Sequence, residues 1–430
     1  MNNTNIKNTL RSTSTTLHQI CNLIPSKLLL AAFMKSGTRD NSRSFTPWSH
    51  VLSMVFAQIM GSTSLNDICD SARLHATAFT RCRRAETPKR NTLSHANRTR
   101  DASFVEALFW ELSGHLCSLA PGFGINRGRK GFPRRFRAAA IHAVDSTTIS
   151  LVAHCMDWAA HRRRKAACKI HMCLSIADML PRFVVVAAAR AHDNTKARFL
   201  CAGLRAGEIV LFDRAYLDFA HLAELASRSV FFVIRAKGNS AVRVVRKLMK
   251  PVSEKAAAKT GKPTVLRDDL VSLKGPKSSR DYPETFRRVM VRVEVDGKWK
   301  TMVFLTNNLE WSAMSVAELY AARWSIEVFF KRIKGALKLS GFLGHNENAI
   351  RWQIWTALIT YMLMRYLAFA SGWSGRFVRV LTLVRGVIWD KLDTIKLLKA
   401  YGTAGGAFEP RLAPETAYLK GFEPAACGTA

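Results

Sequence analysis

Two apolar runs in the middle of the chain each stop on an aspartate. Residues 138–144 read AAAIHAV and meet Asp145; residues 208–212 read EIVLF and meet Asp213. Short, unbroken apolar runs of this kind suit buried strands. In open α/β folds, ligands bind beyond the carboxyl ends of such strands, so a carboxylate there is a candidate site residue. Structural turns also place Asp at strand ends, and one such residue alone carries little weight. Two of them narrow the chain to an α/β architecture with an acidic site at one end of its strands.

A third acid comes from residues 320–334, YAARWSIEVFFKRIK. The stretch lacks Gly and Pro and has apolar residues at helical spacing, which predicts one helix. At about 100° per residue, Tyr320, Arg323, Glu327 and Lys334 fall within an arc of roughly 60°. Leu319, Ile326, Phe329, Phe330 and Ile333 fill a neighbouring apolar arc of about 100°. A solvated amphipathic helix is the ordinary explanation of such a stretch. The two aspartates change it, because phosphodiester chemistry with Mg²⁺ needs several hard oxygen ligands. Asp145, Asp213 and Glu327 would supply them.

The charge balance names the partner. Lys plus Arg total 65 against 31 Asp plus Glu, a formal charge of +34. An excess that large, spread from Lys27 to Lys399, points to a polyanion. Nucleic acid is the first candidate and an anionic membrane surface the second. No apolar run is long enough to span a bilayer; residues 354–364 come nearest. The start of the chain does not read as a secretory signal. Nine cysteines lie scattered without CxxC pairs, so no disulfide framework or zinc ribbon is indicated. Cys168, His171 and Cys173 read as a buried strand rather than a metal site. A reducing, cytoplasmic compartment follows.

Residues 1–16 and 401–430 are expected to be mobile. Residues 17–120 read as an all-α DNA-binding domain. Thr46-Pro47 starts one helix, and Ser64 with Asp67 forms a capping box at another. Thr92 and Ser94 are expected to precede a short basic helix carrying Asn97 and Arg98, with Arg90 just before it. Exposed amide and guanidinium groups suit base reading, whereas a solvated basic helix would touch phosphates only. Residues 121–137, rich in Gly, Pro and Arg, form a basic linker. Residues 168–176 and 182–189 read as strands joined at Ala177-Asp178. Residues 236–262 read as basic and helical or irregular. Residues 240–305 read as a β-rich insertion, with a turn at Asp296-Gly297. Residues 346–370 and 376–400 are expected to be helical, the latter broken near Gly386.

In AVDST, LFDRAY, FLTNN and the spacing Y-x2-R-x3-E-x6-K, the chain resembles the DDE transposases of bacterial insertion sequences. It is most similar to the insertion-sequence-four group, whose hallmark is the last motif. The resemblance covers about 17–398 and implies an RNase H-like catalytic core, residues 138–400, carrying the insertion. It implies two divalent ions, normally Mg²⁺ with Mn²⁺ able to substitute, on Asp145, Asp213 and Glu327. Tyr320, Arg323 and Lys334 would contact transposon-end DNA near the scissile phosphate, and Trp324 would help to hold an unstacked base. The sequence departs from members that carry an acid directly after the second Asp motif; here the next acid is Asp218.

The reaction implied is cut-and-paste transposition: hydrolysis at the inverted repeats, then joining of the 3′-hydroxyls to target DNA. Double-stranded DNA and a second copy of the chain in a synaptic complex are the expected partners, in a bacterial cytoplasm at the nucleoid. Two alternatives stay open on sequence. One is a metal-dependent nuclease on the same core that never joins ends. The other is a DNA-binding repressor without catalysis, which would leave three acids without a role. A tyrosine recombinase is set aside, because no Arg/His cluster accompanies Tyr320.

Overall fold

The computed structural model describes residues 10–40, 42–123, 136, 140–151, 160–162, 165–188, 193–236, 241–295, 297–337 and 343–401. Seven helices come first: α1 (Thr16–Asn22), α2 (Ser26–Ser36), α3 (Pro47–Met60), α4 (Leu65–Leu74), α5 (Ala76–Arg81), α6 (Arg90–Thr99) and α7 (Ser103–Leu119). Their starts follow local chemistry. The Thr46 hydroxyl accepts from the Ser49 N–H ahead of Pro47. Ser64 and Asp67 bond reciprocally in the expected capping box. The sequence placed the start of α6 too late: the helix already begins at Arg90.

Residues 10–16 are not loose. The Ser12 N–H donates to Lys391 O at 2.9 Å, and Leu10 is buried. Residues 1–9, most of the 121–137 linker and residues 402–430 lie outside the described set.

Ten strands follow: β1 (Ile141–Leu151), β2 (Ala160–Arg162), β3 (Lys165–Ser175), β4 (Pro181–Ala188), β5 (Ile209–Phe212), β6 (Phe231–Ala236), β7 (Val242–Lys247), β8 (Thr264–Leu273), β9 (Phe286–Val295) and β10 (Lys298–Thr306). They form one sheet in the order β2-β3-β1-β5-β6-β10-β9-β8-β7, with β4 also on β3. The β1–β5 and β5–β6 pairs are parallel and the remainder antiparallel. This is the mixed sheet of an RNase H-like core. The insertion, β7–β10, extends that sheet beyond β6 rather than folding apart from it. Residues 242–247 (VRVVRK), expected to be helical or irregular, are its edge strand, largely exposed and with a register shift between Val244 and Arg246; its Val residues suit a pleated ribbon. Gly297, at φ 70°, turns β9 into β10; Asp296 lies outside the described set.

Period-two alternation fills both faces of the sheet. Ile141, Ala143, Ile209, Leu211 and Val233 enter one core cluster. Val144, Val210, Phe212, Phe232 and Ile234 enter another, beneath α8 (Asp193–Cys201) and α9 (Phe219–Ser227). Short helices α10 (Glu254–Lys259) and α11 (Pro276–Asp281) decorate the insertion. The first face is covered by α12 (Ala313–Ala322), α13 (Trp324–Ala336), α14 (Glu347–Ala370) and α15 (Phe377–Gly386), with α16 (Thr394–Tyr401) last.

The leading helices share that first core. Trp352 on α14 stacks on His50 of α3 with ring centroids 3.9 Å apart, and its indole N–H donates to Arg100 O. Asn348 Nδ2 donates to both Asn97 O and Arg100 O. Among the described residues, no single helix is long and apolar enough to cross a membrane.

Candidate active site

The parallel ladder between β1 and β5 ends at the pair Val144 and Phe212. Asp145 and Asp213 are the next residue on each strand, so they lie side by side at the carboxyl end of the ladder. Asp145 is not at a chain-wise strand end, as the sequence suggested. β1 runs on to Leu151, paired only with β3, and it is the partner β5 that stops. That step leaves the space above Phe212 into which α12 and α13 reach.

The stretch 320–334 is two helices, not one. The Arg323 N–H bonds Tyr320 O at 3.0 Å and the Ile326 N–H bonds Arg323 O at 3.1 Å. These i→i−3 bonds tighten the chain at Arg323 and separate α12 from α13. The four motif side chains still converge. The Tyr320 hydroxyl donates to Asp213 Oδ1 at 3.3 Å. Arg323 Nη1 donates to Asp145 Oδ2 at 3.1 Å, and its Nη2 donates to Glu327 Oε1 at 2.5 Å. Lys334 Nζ donates to Thr148 O on the free extension of β1, at 2.7 Å. Trp324 stays 61% exposed beside them.

The site is electrostatically tense. Burial pushes the Asp145 carboxyl up to about 6. The Ser146 N–H and Arg323 pull it back, while Glu327 and Asp213 push it further up. Burial likewise raises the Tyr320 phenol to about 12, with Asp213 adding to the shift and Arg323 and Arg235 opposing it. Tyr320 is therefore a neutral donor at ordinary pH.

Arg235 escaped the sequence reading. Phe212 pairs with Ile234 on β6, so Arg235 follows that pair as Asp213 does, one strand over. It is also a charged residue near the end of an apolar strand, which is the signal that picked out both aspartates. Asp218, the next acid after Asp213, serves elsewhere: its carboxylate accepts the His221 N–H and caps α9. Arg214 is exposed and Tyr216 is buried in the intervening turn.

Three hard carboxylates are the donor set that Mg²⁺ or Mn²⁺ prefers. Among the described residues, no three acid, His or Cys groups are drawn together tightly enough to hold one ion. Arg323 supplies the reason: its guanidinium stands between Asp145 and Glu327. The donors fit a divalent cation, and an ion using those oxygens must take them from Arg323.

The DNA-contact residues expected in the leading helices divide. Arg90 and Arg98 lie on exposed positions of α6. Asn97 does not: it is 3% exposed, with Oδ1 2.8 Å from His50 Nε2. Its amide is used inside the protein, which corrects its assignment as a base reader.

The sheet order and the carboxylates at its parallel ladder define an RNase H-like protein of the DDE class. Residues 138–363, more than half of the chain, match the transposase DDE domain family, and residues 12–78 match a domain of unknown function. The chain belongs to the DDE transposase family, in its insertion-sequence-four group, and is a transposase of an insertion sequence. A Sinorhizobium fredii protein named as transposase y4zB is 29% identical over 76% of this chain and 85% of its own. A Geobacillus stearothermophilus protein named for insertion sequence element IS5377 is 29% identical over 55% of this chain and 57% of its own. A Synechocystis protein named for element IS4SA is 22% identical over 74% and 82%. The piggyBac transposase in a synaptic complex with hairpin DNA aligns over 91% of this chain and 83% of that one, at 9% identity and a TM-score of 0.44.

Proposed function

We propose that this transposase binds the terminal inverted repeats of its element, hydrolyses the DNA ends and joins the freed 3′-hydroxyls to target DNA. The convergence of Asp145, Asp213 and Glu327 with Tyr320, Arg323 and Lys334 at the end of one parallel ladder carries the reading. In the first step water attacks phosphorus and the P–O3′ bond breaks, leaving a 3′-hydroxyl and a 5′-phosphate. In the second, that hydroxyl attacks a target phosphodiester, releases a target 3′-hydroxyl and gives its proton to solvent.

Asp145, Asp213 and Glu327 would hold divalent cations, which would supply Lewis acidity to the phosphodiester. Arg323 and Lys334 face the scissile phosphate with positive charge, and Tyr320 donates a hydrogen bond from a phenol that stays protonated. Positioning and electrostatics do the work, without a covalent enzyme intermediate. Two copies of the chain hold the two ends in the synaptic complex, in the cytoplasm.

The test is incubation with DNA carrying the element's ends and Mg²⁺. Cleaved ends and joined products are expected from the natural protein. Asp145→Ala, Asp213→Ala and Glu327→Ala should each bind ends and fail to cut; near-normal cleavage by any of them sinks the assignment. Precleaved ends that are never joined to target would reduce the protein to a nuclease.

A further inference from the structure

The amino-terminal match carries no known function, and the burial of Asn97 removes one residue expected to read DNA there. The same helix lines a different feature. Between α6 and the connection from α2 to α3 lies an open cleft of about 520 Å³. Its floor is apolar, built on Phe33, Phe45 and Phe104, with Phe33 and Phe104 stacked at 4.3 Å. One wall presents Thr92, His95 and Thr99 from α6; the other presents Arg39 and Arg43.

The cations in this cleft are not equivalent. Arg100 is spent on structure: it donates to Phe45 O at 2.9 Å and pairs with Asp40 at 3.3 Å. That pair, with the Ser42 hydroxyl also on Asp40, neutralises the carboxylate next to Arg39 in the chain; the second carboxylate lining the cleft, Asp101, accepts the Ser103 N–H at the start of α7. Arg39 and Arg43 form no hydrogen bond or ion pair among the described residues, and both are exposed. Two uncommitted guanidinium groups therefore face an imidazole and two hydroxyls across an apolar floor.

We propose that this cleft grips the sugar–phosphate backbone of duplex DNA, with Arg39 and Arg43 as its phosphate contacts. Guanidinium forks match phosphate oxygens bidentately, the exposed Thr92 hydroxyl adds a donor, and the half-buried Phe33 offers an apolar edge to the deoxyribose. The cleft opens beside the outer face of α6, where Arg98 is exposed, so one duplex reaches both. The proposal rests on the DNA-binding part of the function above. It gives the amino-terminal region a contact that positions DNA and does not read bases.

Binding to labelled duplex carrying the element's ends, measured in EDTA over a range of salt, tests the cleft without catalysis. A protein that binds and does not cut would overturn the catalytic reading and leave this test intact. Arg39→Ala/Arg43→Ala should weaken binding on the order of tenfold or more for end and unrelated duplexes alike. Its log–log salt slope should be shallower by about two. Lys27→Ala/Arg73→Ala removes the same charge from exposed helical positions outside the cleft and should change affinity less than about threefold. An unchanged slope in the cleft variant, or an equal loss in the control pair, overturns the proposal. So does retained DNA affinity with lost binding to phosphatidylserine vesicles, which would assign the cleft to a membrane surface.

Discussion

Arg323 reaches Asp145 at 3.1 Å with one guanidinium nitrogen and Glu327 with another, so one side chain spans two of the three acids proposed to be catalytic. It sits at the break between α12 and α13, with its side chain 12% exposed. A guanidinium so placed occupies the oxygens that a divalent ion would use. The same residue is expected to meet the scissile phosphate. Both roles are served if cation binding displaces Arg323 from the acids toward the DNA.

Arg323→Gln should therefore bind divalent ions more tightly than the natural protein. Each partly buried pair that the ion no longer has to break is worth on the order of 1 kcal/mol, and a 1.4 kcal/mol gain is about tenfold in affinity. Calorimetric titration with Mn²⁺ in the absence of DNA reads this directly. The same variant should lose end cleavage. Unchanged or weaker Mn²⁺ binding would show that Arg323 and the ion do not compete.

Asp145 predicts a pH dependence of stability. Its folded pKa is raised to about 6, above the ordinary aspartate value near 3.9. Between about pH 4 and 6 the folded state thus holds more protons here than the unfolded one. This contribution favours folding fully below about pH 4 and is lost as pH rises through 6. Asp145→Asn should remove that slope and raise the melting temperature near pH 7. Thermal unfolding in EDTA at pH 5 and pH 7 measures it; a variant less stable than the natural protein at pH 7 would contradict the burial cost.

The structure brings the expected site residues to one end of the parallel ladder, although the single helix expected over 320–334 is two. Asp145 and Asp213 lie side by side because the parallel register aligns them, and Glu327 is joined to them through Arg323. The readings that failed depended on information the local pattern does not hold. The break at Arg323 has no Gly or Pro to announce it; two shifted backbone bonds make it. The strand 242–247 is largely exposed, so neither an apolar run nor alternating burial marks it. Asn97 looked like a surface amide because the histidine that buries it, His50, lies 47 residues away on another helix. Arg235 stands at the same kind of strand position as the two aspartates, but a guanidinium cannot ligate a metal ion and so is not marked by that chemistry.

The placement of Asn97 makes its own prediction. Burial lowers the His50 pKa to about 3, so the ring is neutral at pH 7 and its Nε2–H donates to Asn97 Oδ1. Asn97→Ala leaves that donor buried without a partner, at a cost of about 1–3 kcal/mol. Urea denaturation at pH 7 should show the loss. DNA affinity measured well below the unfolding transition should remain near normal, whereas Arg98→Ala should weaken it. A large affinity loss at unchanged stability would return Asn97 to the DNA.

The insertion joins the site through Arg287. Its Nε and Nη2 bind Asp268 bidentately at 2.7 and 2.5 Å, with both side chains buried. Its remaining nitrogen donates to Leu309 O and Trp311 O, in the segment where Ser312 caps α12. One guanidinium thus ties β8 and β9 to the start of α12, the helix that carries Tyr320. Arg287→Ala strands a buried carboxylate and should cost about 3–5 kcal/mol in chemical denaturation. Arg287→Met with Asp268→Leu removes both charges and should recover most of that stability. The two carbonyls at the start of α12 stay unanchored in the double variant. Its cleavage rate should therefore remain below that of the natural protein even where the fold is restored. Full recovery of rate along with stability would limit the pair to holding the sheet together and leave the position of Tyr320 to the packing of α12 alone.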